Sequence, residues 1–141
     1  AMKIIMKPLL LITIIAALVF LTPIISTAAQ KTLPEEYLRM KNPFNSVDKT
    51  AIERGETLYT RRCINCHGEK GDGKGPVGED MEVVPYTKEG LLKKPDGYLF
   101  WVIEKGVPET GMPDFGPGSD LNLPSEDIWK VITFLRERFG K

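Results

Sequence analysis

Hydrophobic and polar positions divide the chain into three regimes. From Pro8 to Gln30 there is no charged residue, and most positions are Leu, Ile, Val, Phe or Ala. Residues 30–47 carry mixed charges with Pro34 and Pro43 and keep no clean period, the pattern of a linker. From Asp48 onward apolar residues recur at helical spacing. Asp48 is a good N-cap, and Ala51, Ile52, Gly55, Leu58 and Tyr59 follow on one face, so a first helix is predicted to run into Cys63. Asp96 is placed to cap a second helix over 97–105, with Gly106 as its stop. A last helix starts at Ser125. Glu126 and Asp127 suit the positive end of its dipole, Ile128, Val131, Ile132 and Leu135 fall at i, i+3, i+4 and i+7, and Arg136 and Arg138 suit its end. Glycine and proline break up residues 68–90 and 106–124, and no strand pair is apparent. The predicted class is all-α with long loops. Such loops are unusual in a small domain unless they wrap something other than protein.

The N-terminal regime is a targeting or anchoring element. Lys3 and Lys7 precede the apolar run, and Ser26, Thr27, Ala28 and Ala29 follow it. A basic start, an apolar stretch and small residues make a secretory signal peptide; about 20 apolar residues make a membrane anchor. Residues 8–25 lie between these lengths, and a retained anchor is slightly favoured. Both readings put the lysines in the cytoplasm and residues 31–141 in the periplasm or on the outer face of the cytoplasmic membrane. The expected organisation is therefore a signal peptide or membrane anchor over 1–29, a linker over 30–47 and one domain over 48–141.

Composition narrows the partners. The 141 residues carry 19 basic and 19 acidic side chains, and there is no basic stripe of the kind that tracks nucleic acid. The two cysteines, Cys63 and Cys66, are too few for the disulfide framework of a small secreted domain. His67, the only histidine, follows them directly.

Cys63-Ile64-Asn65-Cys66-His67 is the signature of covalent haem attachment. Two thiols add across the two vinyl groups of the macrocycle, and two intervening residues set the reach. The next residue then lies beneath the iron, where an imidazole nitrogen can coordinate. A thioredoxin-like redox pair would need βαβ surroundings, and the flanks here are helix and glycine loop. A structural zinc site would need four ligands, and the chain has three Cys and His residues in all. For the other axial position a thioether is the expected ligand, since a soft neutral donor favours ferrous iron. Beyond the N-terminal segment the candidates are Met40, Met81 and Met112. Met112 is preferred. It lies between Gly111 and Pro113 on a loop between two helices, with few apolar neighbours that would make it core filler.

From Thr50 to the C-terminus the chain resembles a class I cytochrome c. The resemblance rests on Arg54-Gly55-Glu56-Thr57-Leu58-Tyr59, the Cys63–Gly68 stretch, Gly71-Asp72-Gly73-Lys74-Gly75-Pro76, Gly111-Met112-Pro113 and Glu126-Asp127-Ile128-Trp129. It implies a fold in which the first and last helices cross and long loops wrap one covalent haem c. Gly55 and Tyr59 match the crossing point on the first helix, with Ile132 and Phe134 facing them. Pro76 matches the proline whose carbonyl accepts a hydrogen bond from the axial histidine, a contact that orients the ring and tunes its basicity. Tyr86, Tyr98, Phe100, Trp101 and Phe115 are candidates for the haem wall, with ordinary core packing the plainer reading of each.

The function expected from this pattern is single-electron transfer. Cys63 and Cys66 would hold the porphyrin, and His67 and Met112 the iron. With both axial positions filled there is no place for a small-molecule substrate, so the chain is expected to be a carrier and not itself an enzyme. Redox proteins are the expected partners. Two rivals are a haem subunit of a larger membrane-bound oxidoreductase, which the apolar N-terminus favours, and a ligand sensor or peroxidase with an exchangeable sixth position.

Overall fold

The computed structural model describes residues 33–86, 90 and 92–140, so the expected signal or anchor over 1–29 lies outside the described residues. Among the described residues all regular elements are helices: α1 (Glu35–Leu38), α2 (Lys49–Arg62), α3 (Ile64–His67), α4 (Asp96–Lys105) and α5 (Ser125–Phe139). None is long and apolar enough to cross a membrane.

α2 begins where its cap predicts. The Asp48 carboxylate accepts from Ala51 N at 3.0 Å, satisfying one of the four amides a helix start leaves free. Its buried face is Ala51, Gly55, Leu58 and Tyr59. α5 buries a wider stripe that includes Ile128, Val131, Ile132 and Leu135 as expected, and adds Trp129, Thr133 and Phe134. The two helices cross at Gly55, where a β-carbon would overlap the Lys130 carbonyl and press on Phe134. Glycine is thus required by the approach of two backbones. Next to it the Tyr59 and Phe134 rings meet with centroids 5.3 Å apart. At the same crossing Arg54 grips Asp127 with two bonds, Nε to Oδ1 at 3.2 Å and Nη2 to Oδ2 at 2.6 Å.

Two expectations need correction. Asp96 does not cap α4; Pro95 occupies that position and no side chain bonds the helix start. The Asp96 carboxylate instead accepts from Arg136 Nη2 at 2.7 Å, which ties α4 to α5. The stretch expected to be a linker is folded from residue 33 onward and belongs to the same compact unit as the helices. Tyr37, Met40 and Phe44 pack against the core, and the Tyr37 hydroxyl bonds the Glu104 carboxylate. Asn42 reaches into α5, donating to Thr133 Oγ1 at 2.8 Å and to Trp129 O at 3.3 Å. These hydrogen bonds span 67 to 91 residues along the chain, so no local period announces them.

Among the described residues the predicted loops carry no regular element, and backbone bonds tie them to helix ends. Phe115 N and Gly116 N donate to Ile103 O and Glu104 O, both at 3.1 Å, which satisfies carbonyls that the end of α4 leaves free.

Candidate haem site

α2 delivers Cys63 at its C-cap, where Cys63 N still bonds Tyr59 O at 2.8 Å. The chain then makes one more helical turn. Cys66 N and His67 N both donate to Cys63 O, at 3.1 and 2.9 Å. Cys63, Cys66 and His67 therefore stand at i, i+3 and i+4 and share one helix face. The glycine loop that follows satisfies the carbonyls of this turn: Gly73 N donates to His67 O at 3.0 Å, Gly75 N to Cys66 O at 3.3 Å and Val77 N to Asn65 O at 3.0 Å. Side chains at 75 or 78 would overlap the Asn65 and Cys66 carbonyls, so the density of glycine here reflects backbone lying on backbone. Tyr59 adds a second tie, its buried hydroxyl donating to Gly68 O at 2.6 Å.

Both thiols are free. Burial pushes the Cys63 thiol up to about 12, which keeps it protonated. Burial pushes the His67 imidazole down to about 4, so at neutral pH the ring is uncharged and a nitrogen lone pair is available to a metal. His67 Nδ1 is buried and makes no hydrogen bond. The Tyr86 ring lies flat on the imidazole, with centroids 4.6 Å apart and planes inclined by 13°.

Pro76 does not make its expected contact with His67, since Nδ1 has no partner. Gly75 N and Val77 N are bonded to Cys66 O and Asn65 O, which pins Pro76 beside the Cys-x-x-Cys turn. There it lines a shallow surface groove with Ile64, Asn65 and Gly68.

Met112 lies on the loop after α4, half-buried and packed against the main core cluster, which Cys63 also touches. A tight turn holds it, with Val107 N donating to Met112 O at 3.1 Å and Met112 N donating to Thr110 Oγ1 at 3.2 Å. Met81 is 45 % exposed, yet its sulfur lies against the same loop, 2.7 Å from where a β-carbon on Gly111 would stand. The fold thus brings two of the three candidate methionines, Met81 and Met112, to one loop, a proximity that sequence separation concealed. Met40 lies apart from it, its β-carbon against Gly97 at the start of α4. Of the candidate aromatics, Phe100 meets Trp129 in a tilted pair with centroids 4.4 Å apart, Phe115 is buried in the core, and Tyr86 lies on the His67 ring.

Among the described residues no group of three or more His, Cys, Asp and Glu side chains could cage a metal ion. The donors present fit a haem c instead. Two free thiols share a helix face with a neutral, half-buried imidazole whose buried Nδ1 makes no hydrogen bond.

Comparison with known proteins agrees with that chemistry. Residues 50–135, more than half of the chain, match the family described as cytochrome C oxidase, cbb3-type, subunit III. A cbb3-type cytochrome c oxidase subunit CcoP from Azospirillum brasilense is 35 % identical over 57 residues, which cover 40 % of this chain and 19 % of that relative. The chain thus spans only a small part of the length of the curated relative it matches. The matched region contains the Cys63–His67 turn, most of the two crossing helices and the Met112 loop, and the chain belongs to the cbb3-type cytochrome c oxidase subunit III family as a c-type cytochrome domain.

Proposed function

We propose that this chain passes single electrons through one covalently bound haem c, as a subunit of a membrane-bound oxidase on the outer side of the cytoplasmic membrane. The observation that carries the reading is the Cys63–Cys66–His67 helix face with its neutral, half-buried imidazole. The family match supports the oxidase setting over a freely diffusing carrier. When bound, the haem supplies the redox chemistry, its iron alternating between ferric and ferrous. The protein's part is to hold and tune. Cys63 and Cys66 would anchor the macrocycle, and His67 and Met112 would supply a nitrogen and a thioether to the iron. The aromatic core around Tyr59, Tyr86 and Phe139 would keep water from the histidine side. With both axial positions taken by protein, the chain itself binds no small-molecule substrate. Residues 1–29 act as export signal or anchor, and residues 33–47 are part of the folded unit in this reading, not a free tether.

The test is to purify the protein from membranes in mild detergent. The expected result is one haem per chain by the pyridine haemochrome assay, a low-spin ferric spectrum, and co-elution with other oxidase subunits. A haem-free chain sinks the proposal. A haem-loaded chain released by salt alone, with a mature N-terminus near Ala29 and no companions, returns the reading to a soluble carrier.

A further inference from the structure

The axial histidine of a c-type haem is usually oriented by a hydrogen bond from its second ring nitrogen. Here that nitrogen, His67 Nδ1, is buried and unbonded. What touches the ring instead is a flat surface. Tyr86 stacks on the imidazole at 4.6 Å and 13°. Its backbone N is fastened to Gly71 O at 2.6 Å, on the loop that follows the histidine, and Gly71 leaves room for the ring, since a β-carbon there would stand 2.8 Å from Tyr86 Cδ2. Behind Tyr86 stand Tyr59 at 6.4 Å and Phe139 at 5.7 Å, both part of or packed on the core. Tyr86 is only 9 % exposed and cannot swing aside without breaking this cluster. Rotation of the imidazole about its Cβ–Cγ bond would drive an edge of the ring into the tyrosine face.

We infer that Tyr86 is a positioning residue that sets the plane of the His67 imidazole by stacking. The inference rests on the proposal that His67 is the axial ligand. It predicts a signature that a merely structural residue would not carry. In ferric low-spin haem the orientation of the imidazole plane splits the iron d orbitals. That splitting is read in the largest g value and in the order and spread of the four paramagnetically shifted haem methyl resonances.

The experiment uses the full-length holoprotein and three variants. Tyr86→Phe keeps the flat face and should keep the methyl pattern and g value of the unmodified protein. Tyr86→Leu and Tyr86→Met keep apolar volume but remove the flat face; either should reorder or compress the methyl spread and displace the largest g value. Two variants are named so that one failing to accumulate does not leave the question open. A low-spin unmodified protein with an unchanged pattern in whichever of Leu or Met folds would overturn the inference alone, leaving His67 as the ligand. An unmodified holoprotein without low-spin haem would overturn the axial assignment and this inference together.

Discussion

His67 ends a helical turn whose carbonyls are bonded by the loop behind it, its Nδ1 buried and its ring covered by the Tyr86 face. Met112 is held by a short turn between exposed Gly111 and Pro113, and is itself half-buried, with a second methionine sulfur close by. The two proposed axial ligands are thus built from different material. The histidine side is over-determined: helix continuity, loop bonds and core packing all specify the same position. The methionine side depends on a few backbone bonds in a solvent-facing loop, the kind of segment that opens locally at low cost. The difference teaches where each property of the centre should reside. Retention of iron in a normal ligand field belongs to the histidine side, and adjustment of potential and access to the sixth position belong to the methionine side.

The largest effect should come from removing the over-determined ligand. His67→Ala is expected to abolish the low-spin spectrum, although haem can remain attached through Cys63 and Cys66. An unchanged spectrum and potential in this variant would break the comparison at its base.

On the other side, Met112→Ala should leave the haem attached and histidine-ligated but open the sixth position. Ferric haem should move towards high spin, and the reduction potential should fall by a sizeable part of the roughly 0.8 V over which axial ligands tune haem. The weak near-infrared sulfur-to-iron band should vanish. Met81→Ala should keep that band and shift the potential far less, although its sulfur lies against Gly111. Loss of the band in Met81→Ala alone would reverse the assignment.

A smaller effect separates support of the histidine from its ligation. Gly55→Ala gains about 1 kcal/mol of helix propensity, but it sets a methyl group into the Lys130 carbonyl across the α2–α5 crossing. Overpacking costs about 1–3 kcal/mol, and more where a backbone must move. The expected net result is a lower urea midpoint for the holoprotein with the near-infrared band intact. A stabilised protein would mean the crossing is looser than its geometry implies.

The smallest effect concerns acid stability at that same crossing. The hydrogen bonds from Arg54 hold the Asp127 carboxyl below its usual range, against an opposing push from partial burial. A carboxyl whose folded value is depressed stabilises fully above its unfolded value, near 3.9, and loses that contribution as pH falls through the folded value. Asp127→Asn should therefore cost stability at neutral pH and flatten the loss on acidification below about pH 4. Equal losses at all pH values would assign the pair a packing role only.

Much of this arrangement was legible along the chain. Helix periods, the Asp48 cap and the Ser125 start depend on residues within a turn of one another, and the structure places α2 and α5 where those signals put them. The facing of Gly55 and Tyr59 towards Phe134 was legible through resemblance, because a glycine in a helix interior is costly unless something must come close. Residues 30–47 carry the local pattern of a linker, yet from residue 33 onward they fold with the helices because Tyr37 and Asn42 find their partners far along the chain, in α4 and α5.

The sequence by itself determined the donor set of the proposed centre, since Cys-x-x-Cys-His puts two thiols and an imidazole on one face of a turn once that turn is helical. It also determined the helical class and the interruption by glycine-rich loops, because both follow from short-range backbone preference. Only the tertiary structure decided what surrounds the histidine. Pro76 is pinned to the Cys-x-x-Cys turn, Tyr86 comes to lie on the imidazole, and Met81 meets the Met112 loop. Each depends on the path of a loop, and a loop's path is set by which distant carbonyls and rings it can satisfy, a quantity no local pattern encodes.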